Sequence, residues 1–321
     1  MTPAVVLSLT LALVSSGFAA TLKNNVLNDV LQQYLRQSGA ANTERPTGRI
    51  IGGDRVIDRC VAPFNAMVAL QLMPNNPDLK VTYCSGVMLS PDLIVTAGIC
   101  LFPYLSFEGP VLTAVIGEKH FDFQDDSQVN VLVRNFKIHP TYDSVIGDNN
   151  IGLIKLDSPV TLNDCVQPIM RFVRDPTTCS STLMNCTITG WGQSDENGDL
   201  TRNAKNPMYG MVRLVDENLS VLLSSKGTYT TPLRQNSLYA IAYPNSPLQA
   251  CLLDWGGMVA CNMNGDWMLR GVIGEHNCIP PGTSSGPIVI TNLEKFASWI
   301  NSCSADFNSA ACQAYKLPQS A

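Results

Sequence analysis

The sequence predicts an all-β protein built as a barrel or a sandwich. Three observations carry that expectation. From Ile50 onward, short runs rich in Val, Ile, Leu and Thr recur, among them "FNAMVALQL", "LIVTAG", "LTAVIG", "NVLVRNFKI" and "IGLIKL". Turn-forming residues separate these runs at regular intervals, the pattern of many short strands. Only "LEKFASWINS" near the end, with Leu293, Phe296, Trp299 and Ile300, has the spacing of a helix. No internal repeat is visible.

Composition supports a large core. The chain has 321 residues, 45% hydrophobic and only 15% charged, enough for one large domain or two of ordinary size. The net charge of -5 is mild, and Lys and Arg are scattered singly. That leaves no basic footprint for a nucleic acid, and no such partner is expected.

The elements follow in chain order. Residues 1–20, "MTPAVVLSLTLALVSSGFAA", form an apolar run ending in small residues. The run reads as a secretory signal peptide cut near Ala19 or Ala20, although no Lys or Arg precedes its apolar part. Nothing later is long and apolar enough to span a bilayer as a helix, and no membrane partner is expected. Residues 21–49 form a polar, cysteine-free leader. In it Val26, Leu27, Val30, Leu31, Tyr34 and Leu35 recur at helical spacing, before the turn-rich linker "QSGAANTERPTGR".

Eleven cysteines in a chain with an export signal point to disulfides and an extracellular location. None forms a Cys-x-x-Cys pair and there are only three histidines, so no metal site or cofactor is expected. Asn185-Cys-Thr187 and Asn218-Leu-Ser220 match the N-glycosylation pattern. Asn218 lies in a polar stretch and is the better candidate. Asn185 abuts a cysteine, and hindrance by a disulfide is expected there.

Six stretches then line up in order: "GRIIGG" (48–53), "YCSGVMLSPDLIVTAGIC" (83–100), "DNNIGLIKLDSPV" (148–160), "CTITGWG" (186–192), "CLLDWGGMVAC" (251–261) and "GPIVITNLEKFASWI" (286–300). Together they resemble the chymotrypsin-like, trypsin-fold serine proteases over about residues 50–303. The resemblance implies two six-stranded antiparallel β-barrels with a C-terminal helix, followed by a tail over 304–321. It also implies the disulfides Cys84–Cys100, Cys186–Cys261 and Cys251–Cys278. Cys60, Cys165, Cys179, Cys303 and Cys312 are left without assigned partners.

The reactive groups are missing from this frame. Acyl transfer in that family needs a serine oxygen, an imidazole that takes its proton and a carboxylate that orients the imidazole. The resemblance places Ile99 at the histidine position, Asn150 at the aspartate position and Trp255 at the serine position. None of these side chains can perform the corresponding step. The same carry-over puts Leu253 at an oxyanion-hole glycine, where a Cβ restricts the backbone. Gln249 falls at the base of the specificity pocket, the wall segment "IGEHNC" is a residue short, and Ile288 replaces a pocket glycine. An inactive member of the family is the expectation.

A relocated site is the alternative enzyme reading. "GTSSGP" (282–287) looks like the family's nucleophile motif, but it lies too close to Trp299 and too far from Cys251. Ser284 and Ser285 are read as turn residues. His276 is a weak candidate base, and His120 and His139 are expected on the surface. Asn150, with no imidazole to orient, is expected to be a hydrogen-bonded structural residue.

Two family features are kept. Arg49 and Ile50 form an activation-like cleavage site, and Asp254 stands where the family's acceptor for the freed Ile50 amine lies. The resemblance therefore implies a secreted protein whose partners are other secreted proteins: an active protease, an inhibitor or a protease substrate. Its expected role is cofactor, adaptor or decoy in extracellular proteolytic regulation, in an immune cascade or a reproductive secretion. A structural component linked through an odd cysteine is the third class considered.

Overall fold

The computed structural model describes residues 54–55, 67–72, 81–106, 112–117, 128–164, 166–169, 183–191, 207–229, 231–243, 246, 248, 250, 254–263, 266–274 and 286–317. The chain divides at Arg45 and Pro46, and every described residue lies in the unit Pro46–Ala321. The assignments to Arg49, Ile50, Cys251, Cys278 and the segment 1–49 lie outside the described residues, as do Gln249, Leu253, His120, His276, Ser284 and Ser285.

The strand-like runs fold as strands. β2 (Met67–Leu72), β3 (Val81–Ser90), β4 (Leu93–Thr96), β5 (Leu112–Ile116), β6 (Val129–Ile138) and β7 (Gly152–Leu156) close into a barrel in the order β2-β3-β4-β7-β6-β5. All its pairings are antiparallel. Closure satisfies the backbone of every strand and leaves no open edge. Its buried residues include Val87, Ile94, Val95, Ala114, Ile116 and Ile154, none more than 1% exposed.

A second ring follows. β8 (Leu183–Gly190), β9 (Met208–Val215), β10 (Ser237–Ala242), β11 (Met258–Met263), β12 (Asp266–Ile273) and β13 (Ile288–Asn292) pair in the order β9-β10-β13-β12-β11-β8. β8 pairs back onto β9 along its whole length, Leu183 facing Val215 and Gly190 facing Met208. That pairing completes six antiparallel strands. A short β1 (Asp54–Arg55) adds to β9 at Tyr209 and Met208. The two-barrel expectation is therefore met.

The described disulfides staple these elements. Cys84–Cys100 ties β3 to the turn after β4, and Cys186–Cys261 joins residues directly opposite each other on β8 and β11. Both are pairs the family resemblance implied. Cys303 bonds to Cys312, a pairing that the sequence left open.

Among the described residues, two α-helices accompany the barrels. α1 spans Glu217–Ser225, and later in the chain "LEKFASWINS" forms a 3-10 turn over Leu293–Phe296 that runs into α2 (Ala297–Ala305). α1 is a helix the sequence reading missed. Asp216 caps it, its carboxylate accepting from the Leu219 N–H at 2.8 Å, and Leu219 and Leu223 bury its inner face. Nine residues with so few apolar positions give a weak periodic signal. The cap was the readable cue.

After α2 the chain turns back instead of trailing away. Trp299 Nε1 donates to Gln313 O at 2.9 Å, Lys137 Nζ to Cys312 O at 2.5 Å, and Tyr315 N to Ile138 O at 2.8 Å. The Tyr315 ring meets Phe102 and Tyr142 edge-on, at 6.0 Å from each. The tail thus seals the end of β6 on the first barrel.

Candidate functional site

The three positions that the resemblance assigns to reactive groups come together between the barrels. Gly98–Cys100 forms a 3-10 turn directly after β4, and Ile99 sits at its middle. Asn150 immediately precedes Ile151 and β7, the strand that pairs with β4 from Leu93 to Thr96. The two are joined directly: Ile99 N–H donates to Asn150 Oδ1 at 2.9 Å. Trp255 lies in the turn before β11. Its carbonyl oxygen accepts from Ser85 N–H at 2.8 Å, and Cys100 Sγ lies 3.5 Å from that same oxygen.

Asn150 is buried and hydrogen-bonded. It is 3% exposed, its side-chain oxygen is engaged by Ile99, and its backbone oxygen accepts from Thr291 Oγ1 at 2.9 Å. Its Nδ2 has no hydrogen-bond partner among the described residues. The preceding residue, Asn149, takes a left-handed φ of 53° and is held by bonds to Thr141 O and from Asn236 Nδ2. Asparagine tolerates that conformation better than most residues.

The turn carrying Trp255 is held by its backbone. Gly257 N–H donates to Asp254 O at 2.9 Å, Gly256 N–H to Ile273 O at 2.8 Å, and Ile273 N–H returns to Gly257 O at 2.8 Å. Gly256 has φ +80°, and a Cβ there would meet Ser85 O and Thr96 Oγ1 at 2.2 Å. Only glycine fits both requirements. The turn presents the Trp255 indole. Trp255 is half-buried and, like Ile99, packs against the first barrel's core.

Asp254 is 1% exposed. It lies against Gly190, where an added Cβ would come within 2.2 Å of Asp254 Oδ1. Ile288, read as a pocket-filling residue, is 2% exposed and joins the core of the second barrel. Asn218 and Asn185 are both exposed, the latter accepting from Tyr243 Oη at 2.6 Å. Asn185 is exposed although its neighbour Cys186 is buried. Along β8 successive side chains point to opposite faces, so Cys186 is wholly buried while Asn185 faces solvent.

His139 corrects a surface expectation. Its ring packs edge-on against Phe296 at 4.9 Å and Trp299 at 5.0 Å, and Thr141 Oγ1 lies 3.0 Å from its Nδ1. Burial against these rings lowers its pKa from 6.5 to about 4. It lies behind the site, on the face that the helix α2 covers.

Sequence reasoning missed Ser85, which joins both halves of the site. It is 2% exposed; its N–H reaches Trp255 O, its carbonyl accepts from Thr96 Oγ1 at 2.7 Å, and its hydroxyl accepts from Trp191 N–H at 2.9 Å. Its position next to Cys84 was the only cue. Among the described residues no group of His, Cys, Asp and Glu could hold a metal ion.

Known proteins resemble this arrangement. The trypsin family profile matches residues 50–300. Chymotrypsin-C of Bos taurus is 24% identical over 257 residues, 79% of this chain and 88% of that protein. Trypsin-2 of Salmo salar is 27% identical over 227 residues, covering 70% and 86%. Ovochymase of Halocynthia roretzi is 28% identical over 267 residues, 81% of this chain but 15% of that much longer protein.

Proposed function

The chain belongs to the trypsin family, and on that premise we propose that it is a secreted, catalytically inactive member that acts by binding other proteins. Its role is that of cofactor, adaptor or decoy in extracellular proteolytic regulation, with an active protease, an inhibitor or a protease substrate as partner. Immune cascades and reproductive secretions are the settings this reading favours.

One observation carries the reading. The turn at the nucleophile position keeps its full backbone lattice, yet the side chain it presents is the half-buried indole of Trp255. An indole has no hydroxyl or thiol to offer an acyl carbon, and the Ile99 side chain has no lone pair to take a proton. The lattice supports a fold kept for its shape. Trp255 both fills space over the first barrel and offers aromatic surface to a partner.

The reading includes removal of residues 1–20, a leader over 21–49 and cleavage after Arg49. The freed Ile50 amine then pairs with Asp254, a carboxylate that is 1% exposed. A buried ion pair needs close hydrogen bonding, because desolvation costs several kcal/mol per charge. The disulfides suit the same extracellular setting, since reducing compartments do not maintain them.

The test is covalent labelling of the Arg49-cleaved protein with a serine-directed phosphonate, alongside a peptide-hydrolysis assay. No label and no turnover are expected. Labelling at Ser284 or Ser285 with turnover would replace this reading with a hydrolase using a relocated nucleophile.

A further inference from the structure

The sequence contains two Asn-x-Ser/Thr tripeptides, at Asn185 and Asn218. The fold brings both to one end of one strand pair. In the β8–β9 ladder Asn185 faces Arg213, two residues from the end where Leu183 faces Val215. Asn218 lies three residues beyond Val215, in the first turn of α1. Both asparagines are exposed.

The other end of the ladder leads to Asp254 and Trp255. Gly190 abuts Asp254, Trp191 N–H bonds to Ser85 Oγ, and Ser85 N–H bonds to Trp255 O. Five strand residues at about 3.3 Å each separate Asn185 from Gly190 by about 17 Å.

We propose that Asn185 and Asn218 both carry N-linked glycans, so that carbohydrate covers this end of the second barrel and leaves the end with Asp254 and Trp255 bare. The inference rests on the secreted part of the proposed function and adds an orientation to it.

Local geometry accommodates both modifications. At Asn185 the Tyr243 hydroxyl donates to Oδ1 at 2.6 Å, and Nδ2 is the atom that carries the sugar. An N-linked amide keeps its carbonyl oxygen, so the Tyr243 bond survives. The Arg213 guanidinium lies over the Tyr243 ring at 4.5 Å and helps to hold that phenol in place. The adjacent disulfide lies on the buried face of the strand.

Timing is compatible as well. The third residues of the two tripeptides, Thr187 and Ser220, are 1% and 0% exposed. Ser220 Oγ donates to Val215 O and accepts from Tyr239 N–H. A transferase that reads those hydroxyls must meet the chain before it folds. Cys261 lies 75 residues after Cys186, so the Asn185 tripeptide enters the secretory lumen before its cysteine's partner arrives. The donor is a lipid-linked diphosphate oligosaccharide. Its sugar C1–O bond to diphosphate breaks, an Nδ2–C1 bond forms, Nδ2 releases one proton and the lipid diphosphate leaves.

The test expresses the full chain in secreting eukaryotic cells, once with its own residues 1–20 and once with an unrelated signal peptide in their place. Exported protein is treated with peptide N-glycosidase in heavy-oxygen water and mapped by mass spectrometry. The expected result is isotopically labelled aspartate at positions 185 and 218, with a two-step mobility shift on gels. Asn185→Gln and Asn218→Gln should each remove one step. Unmodified asparagine at either position of the exported wild-type chain overturns the proposal, whatever the variants do. If only the replaced-leader form is exported, and both its sites are occupied, the glycan proposal stands and the signal-peptide reading falls.

Discussion

The backbone N–H of Ile99 donates to Oδ1 of Asn150 across 51 residues of sequence, at 2.9 Å. The bond ties the turn after β4 to the start of β7 and uses the oxygen at the position assigned to a catalytic carboxylate. Removing it should destabilise the first barrel. Asn150→Ala leaves the Ile99 N–H without its acceptor and should cost about 1–3 kcal/mol. Urea unfolding with an unchanged slope would show this.

Trp255→Ser tests function and packing together. Because the turn is held by its backbone, the fold should persist. Loss of a half-buried indole should cost less than the about 3–5 kcal/mol of a fully buried one. On the proposed reading peptide hydrolysis is expected to be absent, since Ile99 supplies no base. Turnover by this variant would show that a base acts from elsewhere. Gly256→Ala should be far worse, because a Cβ meets Ser85 O at 2.2 Å and φ is +80°. Failure to accumulate folded protein is the expected outcome.

The C-terminal strap should contribute measurable stability. Cys303 and Cys312 are nine residues apart, and a loop of that length implies about 2–3 kcal/mol by chain entropy. Cys303→Ser with Cys312→Ser should lower the thermal midpoint. Tyr315→Ala should lower it further by removing contacts with Phe102 and Tyr142. Unchanged melting in both variants would show that the strap is a bystander.

Stability should fall as the solution is acidified through the range below pH 6.5. His139 has a pKa of about 4 in the fold against 6.5 when unfolded, because burial disfavours its charged form. Between those values the unfolded chain binds more protons, so stability rises with pH across the window and is fully present above 6.5. His139→Phe should flatten this segment of the pH profile, and NMR titration of the ring should give a midpoint near 4. Asp92 acts in a lower window. Burial raises its pKa, but hydrogen bonds from Lys155 and Ser90 outweigh that and leave it below 3.8. Its stabilisation is lost as pH falls through the usual carboxylate range and below.

Much of the site could be read from the sequence because its markers are local. Gly256 and Gly257 follow Trp255 in a stretch bounded by Cys251 and Cys261, and their backbone demands are written into a few adjacent residues. Ser85 was not legible: its three backbone and hydroxyl bonds run to Trp255, Thr96 and Trp191, which only folding brings near. His139 was misplaced for the same reason. Its neighbours Phe296 and Trp299 stand more than 150 residues downstream.

By itself the sequence determined the strand-rich class, two of the disulfide pairs through family resemblance, and the identities of Ile99, Asn150 and Trp255 at the positions where chemistry would occur. Alternation of apolar residues, turn formers and cysteine context are properties of short segments. Tertiary structure alone decided that Cys303 pairs with Cys312, that the tail seals β6 at Ile138, and that Asn185 and Asn218 share one end of the second barrel. Those relationships depend on chain closure, which brings residues far apart in sequence into contact and sets which face of each strand meets solvent.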